Sequence, residues 1–196
     1  MALCTAAEVR MLLPNLTGTG EDSNLSALIT RCGVAFARWC GYPGNVPSME
    51  AASYVSYVDG PGSRDLVLPV WPVNSITSIY DDPTLDFTSS TYLVSSSDYT
   101  LLEEQKVRLK STATHGLWQS GTGNIKVSYN AGYSSIPDDL KQLCMHQVKS
   151  VWQSRHSQGI ANETKADVST SWRDEDFIPE KVQVALAPFR LPGCFI

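Results

Sequence analysis

The stretch YNAGYSSIPDDLKQLC, residues 129–144, decides the fold, because it delivers a strand-like run straight into a helix start. Upstream of it, GNIKVSYNAGY reads as a short strand and turn. Pro137 suits the first helical position, where its missing N–H costs nothing, and Asp138 and Asp139 favour the positive end of a helix. Leu140, Leu143, Cys144, Val148, Val151 and Trp152 then recur at helical spacing, which predicts a helix to about His156.

Working back towards the start, Thr5 followed by Glu8 fits a capping box, which predicts a short helix over about 6–13, stopped at Pro14. From Asn24 to Cys40, Leu25, Leu28, Ile29, Cys32, Ala35, Phe36, Trp39 and Cys40 form one apolar stripe that ends at Gly41. Between these helices and the opening stretch the pattern changes. SYVSYVDGPGSRDLVLP reads as two short strand runs around a Gly/Pro turn, VNSITSIY alternates in strand fashion, and TYLVSSSDYTLLEEQKVRLK continues the strands and turns. Residues of about 52–132 are therefore read as β.

Downstream, SQGIANETKADVSTSWRDED is polar and rich in turn formers, which predicts a linker. A short amphipathic piece from Pro179 to Ala187 and an apolar end, FRLPGCFI, follow it. Such an end can dock on a partner or fold back on its own core. Trp39 and Trp152, on the apolar faces of the two main helices, are read as core. Trp71, between two strands in LPVWPVNSI, is open to either a core or a subunit-contact reading.

The composition excludes several classes. Fifteen Lys and Arg against twenty Asp and Glu give a net charge of −5 and no basic block, which argues against tight electrostatic binding of DNA. No run reaches the roughly 18 apolar residues of a membrane span, and the first residues lack the pattern of a signal peptide, so no membrane partner is expected. Cys4, Cys32, Cys40, Cys144 and Cys194 are odd in number, widely spaced and form no CxxC pair, so they are read as small buried hydrophobes and not as a disulfide or zinc framework.

Few residues of the chain fall in a pattern that carries chemistry. His115, His146 and His156 frame no metal motif, the GTG runs lack the further glycine or GK[ST] of nucleotide loops, and Ser120 lies outside any GxSxG elbow. Acids pair at Asp81 with Asp82, Glu103 with Glu104, and Asp138 with Asp139. With Asp86, the first pair offers oxygen ligands, but the spacing misses a calcium loop. No cofactor is expected.

The order of the motifs resembles a known family. A helical start closing in WCGYP, a β region carrying DGPGSRDLVLPVWPVNSITSI, and the YNAGYSSIPDDLKQLC junction are similar to the head-to-tail connector adaptors of tailed bacteriophages. The resemblance covers about residues 1–157. It implies an α+β, mainly α fold, a small helical bundle with a β-rich insertion (helices about 6–13, 24–40 and 138–156; insertion about 52–132), and leaves 158–196 as linker and C-terminal extension. It also implies a structural virion protein of the neck and not an enzyme. Such adaptors form a twelve-fold ring under the portal, extend the DNA channel without binding DNA specifically, and offer a platform for the next stopper or tail protein.

A ring needs two different patches on each subunit. Trp71, Ile76 and Ile79 are the candidates for one subunit contact, and Phe177, Phe189, Leu191 and Phe195 are the candidates for docking on the portal. Gly132, which permits an unusual backbone angle, and Pro137, which biases Ile136 to extended geometry, are the structural junction. The alternatives are another neck protein, a stopper or tail-terminator, or a small hydrolase using paired carboxylates.

Overall fold

The computed structural model describes residues 2–114, 116–155, 162–165, 168–171 and 178–191. The fold is α+β, and the chain divides into two compact units, one from residues 1–48 and 136–190 and the other from 49–135 and 191–196.

The first unit is helical. Helix α1 (Ala6–Met11) has the capping box that its sequence predicts: the Thr5 hydroxyl accepts from the Glu8 N–H at 3.2 Å and the Glu8 carboxylate accepts from the Thr5 N–H at 2.7 Å. The bonds that the Thr5 N–H and, at 2.8 Å, the Thr5 hydroxyl donate to it hold the Glu8 carboxyl below its ordinary range. Helix α2 (Asp22–Trp39) starts two residues before the expected Asn24, and α3 (Asp138–Ser154) starts at the aspartate pair. Pro137 is the N-cap of α3 and not its first helical residue. Its ψ of 142° keeps it extended, so the chain turns helical only at Asp138.

Leu25, Ile29, Cys32 and Phe36 of α2 and Leu140, Cys144, Val148 and Trp152 of α3 are buried where the two helices pack. Full burial of one such side chain stabilises the fold by about 1.5–3 kcal/mol. Cys4 and Cys144 approach to 3.8 Å between sulfurs. The contact with Cys144, then burial, pushes the Cys4 thiol far up; the contact with Cys32 does most to raise the Cys144 thiol. Both stay protonated at neutral pH and pack as small apolar groups, and the four described cysteines are buried.

The second unit holds two three-stranded antiparallel sheets. The first has the order β1 (Ala52–Gly60), β6 (Gly121–Ala131), β3 (Val73–Asp81); the second has β2 (Asp65–Val67), β5 (Lys106–Leu109), β4 (Tyr99–Leu102). The two runs in SYVSYVDGPGSRDLVLP therefore fall in different sheets and do not pair as one hairpin. The long central partner of β1 is β6, more than sixty residues on, which no local turn signal announces. Leu66, Leu68, Val107, Leu109, Ile79, Ile125, Val127 and Tyr129 are buried in this unit, together with Trp118, whose indole N–H donates to the Arg64 carbonyl at 3.0 Å.

Two further strands, β7 (Asn162–Lys165) and β8 (Val168–Ser171), pair antiparallel inside the segment read as linker. Its Thr and Val residues favour strands, a signal that the surrounding polar turn formers mask in the sequence. A last helix, α4 (Glu180–Leu186), lies in the helical unit.

Candidate functional site

The register of the first sheet assigns each side chain to a face, because residues opposite one another point the same way. Tyr54 stands opposite Tyr129, Ile76 opposite Tyr129, and Ile79 opposite Val127, and this is the buried face. Ile79 has 0% of its surface exposed. Two of the three candidate contact residues thus lie on the inner side of β3, where Ile79 has no surface to offer a neighbour and Ile76 keeps only a half-buried one. Trp71 is also half-buried, with its ring 6.4 Å from that of Tyr133 in an edge-on contact.

The opposite face carries Val55, Tyr57, Lys126, Ser128, Ser78 and Tyr80, with Tyr57, Lys126 and Tyr80 in one row across the three strands. Tyr57 is 60% exposed and Val55 58%. Phe87 adds its ring 5.3 Å from Tyr57, and the Lys126 ammonium sits 5.9 Å from the Tyr57 ring and 5.8 Å from the Phe87 ring. No sequence motif marks this arrangement of aromatic faces around a cation. Its signal is the alternation in SYVSYV, which puts Val55 and Tyr57 on one side and Tyr54 on the other.

Asp82 holds Phe87 in place. Its carboxylate accepts from the Thr84 N–H at 2.8 Å, the Thr84 hydroxyl at 2.6 Å and the Phe87 N–H at 2.8 Å. Leu85 and Phe87 both have positive φ, 62° and 54°, a conformation costly for residues with side chains that these bonds offset. Burial pushes the Asp82 carboxyl up, but the bonds from Thr84, Phe87 and Asp86 outweigh it and hold it below the ordinary range.

A carboxyl whose folded value lies below the unfolded one adds stability above the unfolded value, about 3.9, and loses it as pH falls towards the folded one. Amide signals of Thr84 and Phe87 should lose their dispersion as pH falls below about 4, and Asp82→Asn should flatten that response. Equal acid responses in the two proteins would refute the assignment.

The other acids of DDPTLDF serve separate tasks. Asp81 accepts from the Gln119 N–H at 3.0 Å and the Asn124 amide at 3.2 Å, and Asp86 accepts from the Thr88 hydroxyl at 2.6 Å. Asp81 also lines a cleft of about 180 Å³ with Asp98, Thr114 and Trp118, but both of its oxygens are already engaged in structural bonds. Among the described residues, no group of three or more His, Cys, Asp or Glu is placed to hold a metal, and no helix is long and apolar enough to cross a membrane.

Of the four candidate portal anchors, Phe177 and Phe195 lie outside the described residues. Phe189 is half-buried, and Leu191 is only 5% exposed, so the chain itself covers it. The segment before it folds back within the helical unit: Leu186 is fully buried, its carbonyl 3.9 Å from the Cys40 sulfur, and the Arg190 guanidinium lies 4.8 Å from the Trp39 ring. Val184, 70% exposed, is a large apolar side chain that α4 presents to solvent.

The two main helices pair, the β unit holds two three-stranded antiparallel sheets, and no catalytic groups converge among the described residues. A family model described as head completion protein matches residues 2–191. The chain belongs to the head completion protein family. Proteins of this family are structural components of the neck between a phage head and its tail. No curated protein matches the chain. A solved structure titled "Neck of empty GTA particle computed with C6 symmetry" matches with a TM-score of 0.58 and 16% identity, over 97% of this chain and 90% of that one. At that identity the likeness shows that this head completion protein shares its fold with a component of that neck. The family match runs past residue 157, into the segment where the sequence motifs stop.

Proposed function

We propose that this head completion protein is an adaptor: a ring under the portal that extends the DNA channel and carries the next stopper or tail protein. The match to the family over nearly the whole chain carries the reading. The six-fold symmetry named for the similar neck admits a ring of twelve copies. The net charge of −5 suits a channel wall, since like charge discourages the phosphate contacts that would hold DNA back.

In this reading the β unit makes the subunit contact, with Trp71 at one end of β3, and the C-terminal segment meets the portal through exposed groups such as Val184. Truncation at Phe177 is a poor probe of docking, because it removes the buried Leu186 and Leu191. Val184→Asp leaves them in place. It should lower portal affinity by about tenfold, the scale of losing one well-buried contact, with the melting temperature unchanged.

The test of the whole reading is the particle mass of the purified protein, alone and mixed with the portal assembly of the same phage, paired with negative-stain images. A ring of about twelve copies formed alone or on the bare portal is the expected result. A protein that ignores the bare portal but binds a portal already carrying another ring is a stopper, and one that does neither is not a connector.

A further inference from the structure

A ring closes only if each subunit presents two different surfaces that fit each other. The β unit carries two oppositely charged features at the two ends of β3. At one end is the outer face described above. Lys126 has no carboxylate partner among the described residues and is flanked by Tyr57 and Phe87, next to the exposed Val55. Beside it β1 is an edge strand, with no further strand on its outer side among the described residues. Nine residues of open edge, without proline or lysine, are a surface that soluble proteins ordinarily blunt.

At the other end is the turn between β4 and β5. The Glu104 carbonyl accepts from the Val73 N–H at 2.7 Å, which fixes this turn beside the first residue of β3. Val73 and Tyr80, the neighbour of Lys126, are seven residues apart, roughly 23 Å along the strand. Glu103 and Glu104 are exposed at the tip, and both have positive φ, 53° and 54°. With the Gln105 N–H donating to the Leu102 carbonyl at 3.3 Å, this is the mirror-image turn that Asn-Gly makes at little cost. Two glutamates there give up stability, while Glu104 has no ion-pair partner among the described residues and Glu103 has only the half-buried Lys106 at 3.5 Å.

We propose that the Glu103–Glu104 tip of one subunit seats on the Tyr57–Lys126–Phe87 face of the next, and that this pairing closes the ring. The inference rests on the ring reading above and adds the surfaces that form it. The occupant is a second copy of this chain. The two features are of opposite charge, lie at opposite ends of one strand and cannot meet within a subunit, as a head-to-tail contact demands. Carboxylates set against a lysine between aromatic rings give a contact that fixes direction as well as affinity.

The test compares ring formation, by particle mass across a concentration series, for four proteins with melting temperature as the control. Wild type should form the ring, and Lys126→Glu should raise the concentration needed for half-assembly by about tenfold or more. Adding Glu103→Lys and Glu104→Lys to that variant should restore assembly towards wild type, because the charges are then exchanged across the same contact. The fourth protein, Glu103→Asn with Glu104→Gly, supplies the residues the turn prefers, so it should melt higher and yet assemble worse.

That last variant decides the matter if Lys126→Glu folds poorly. Undiminished assembly of a better-folded Asn-Gly variant overturns the proposal, as does an intact ring in a folded Lys126→Glu protein. Wild type that forms no ring, alone or on the portal, overturns the ring reading itself and this inference with it.

Discussion

Asn124→Leu is expected to destabilise the β unit by about 4 kcal/mol or more, a loss comparable with the whole stability of many domains. The side chain is only 3% exposed and ties four segments together. Its Oδ1 accepts from the Gly60 N–H at 2.9 Å at the end of β1, and its Nδ2 donates to Asp81 Oδ1 at 3.2 Å at the end of β3 and to the Gln119 carbonyl at 3.1 Å. Leucine has a similar volume and can make none of these bonds. The substitution therefore creates little cavity and isolates the loss of hydrogen bonding. It strands a buried N–H, a part-buried carbonyl and one oxygen of a buried carboxylate, each worth about 1–3 kcal/mol and the charged one more.

Gly60 is packed close against the same loop, since a Cβ added there would stand 1.7 Å from the Gln119 carbonyl oxygen. Urea unfolding followed through Trp118, buried in the same unit, reads the effect without assuming that both units unfold together. A midpoint shift equivalent to less than about 1 kcal/mol would show that the clasp is dispensable.

This clasp also marks where the sequence stops being legible. The helices are announced locally, by the Thr5–Glu8 box, by the stripe from Leu25 to Cys40, and by the aspartates after Pro137, because helical bonds join near neighbours. The β region is announced as β by its alternation, but its pairing is not. Ala52 meets Ala131 and Val73 meets the same residue, across separations that no local signal encodes. Asn124 reads as one residue of the GNIKVSYNAGY strand and turn, and Asp81 as one of several oxygen ligands, until the register puts them together. The faces of β3 fail for the same reason. Ile76 and Ile79 form an apolar pair in the sequence, and only two irregularities in the β3–β6 ladder, near Asn74 and Thr77, show that both face inward. The surface that the sheet presents instead is built by Tyr57, Lys126 and Phe87 from three distant segments.

Gly132→Ala is the second large effect, and it tests the junction in YNAGYSSIPDDLKQLC directly. Gly132 has φ +105°, which an L side chain rarely adopts. A Cβ there would lie 2.5 Å from the Glu50 carbonyl oxygen, 2.8 Å from its carbon and 3.0 Å from the Ala51 nitrogen, all backbone atoms that no rotamer change can move aside. Those atoms are held by their own ladder, with the Ala51 N–H donating to the Tyr133 carbonyl at 3.0 Å and the Tyr133 N–H to the Met49 carbonyl at 2.8 Å. The Gly132 N–H itself donates to the Pro72 carbonyl at 2.8 Å, so a shift to relieve the clash breaks a third bond. Backbone strain and lost bonds together cost about 4 kcal/mol, which for a chain of this size lowers the melting temperature by roughly 10 °C. Pro137→Ala serves as the contrast, because Pro137 caps α3 with ordinary backbone angles and donates nothing. Its replacement should shift melting by no more than a few degrees. A Gly132→Ala protein that melts with Pro137→Ala would mean that the strand reaches α3 through a soft turn, and that the register of the β unit is set elsewhere.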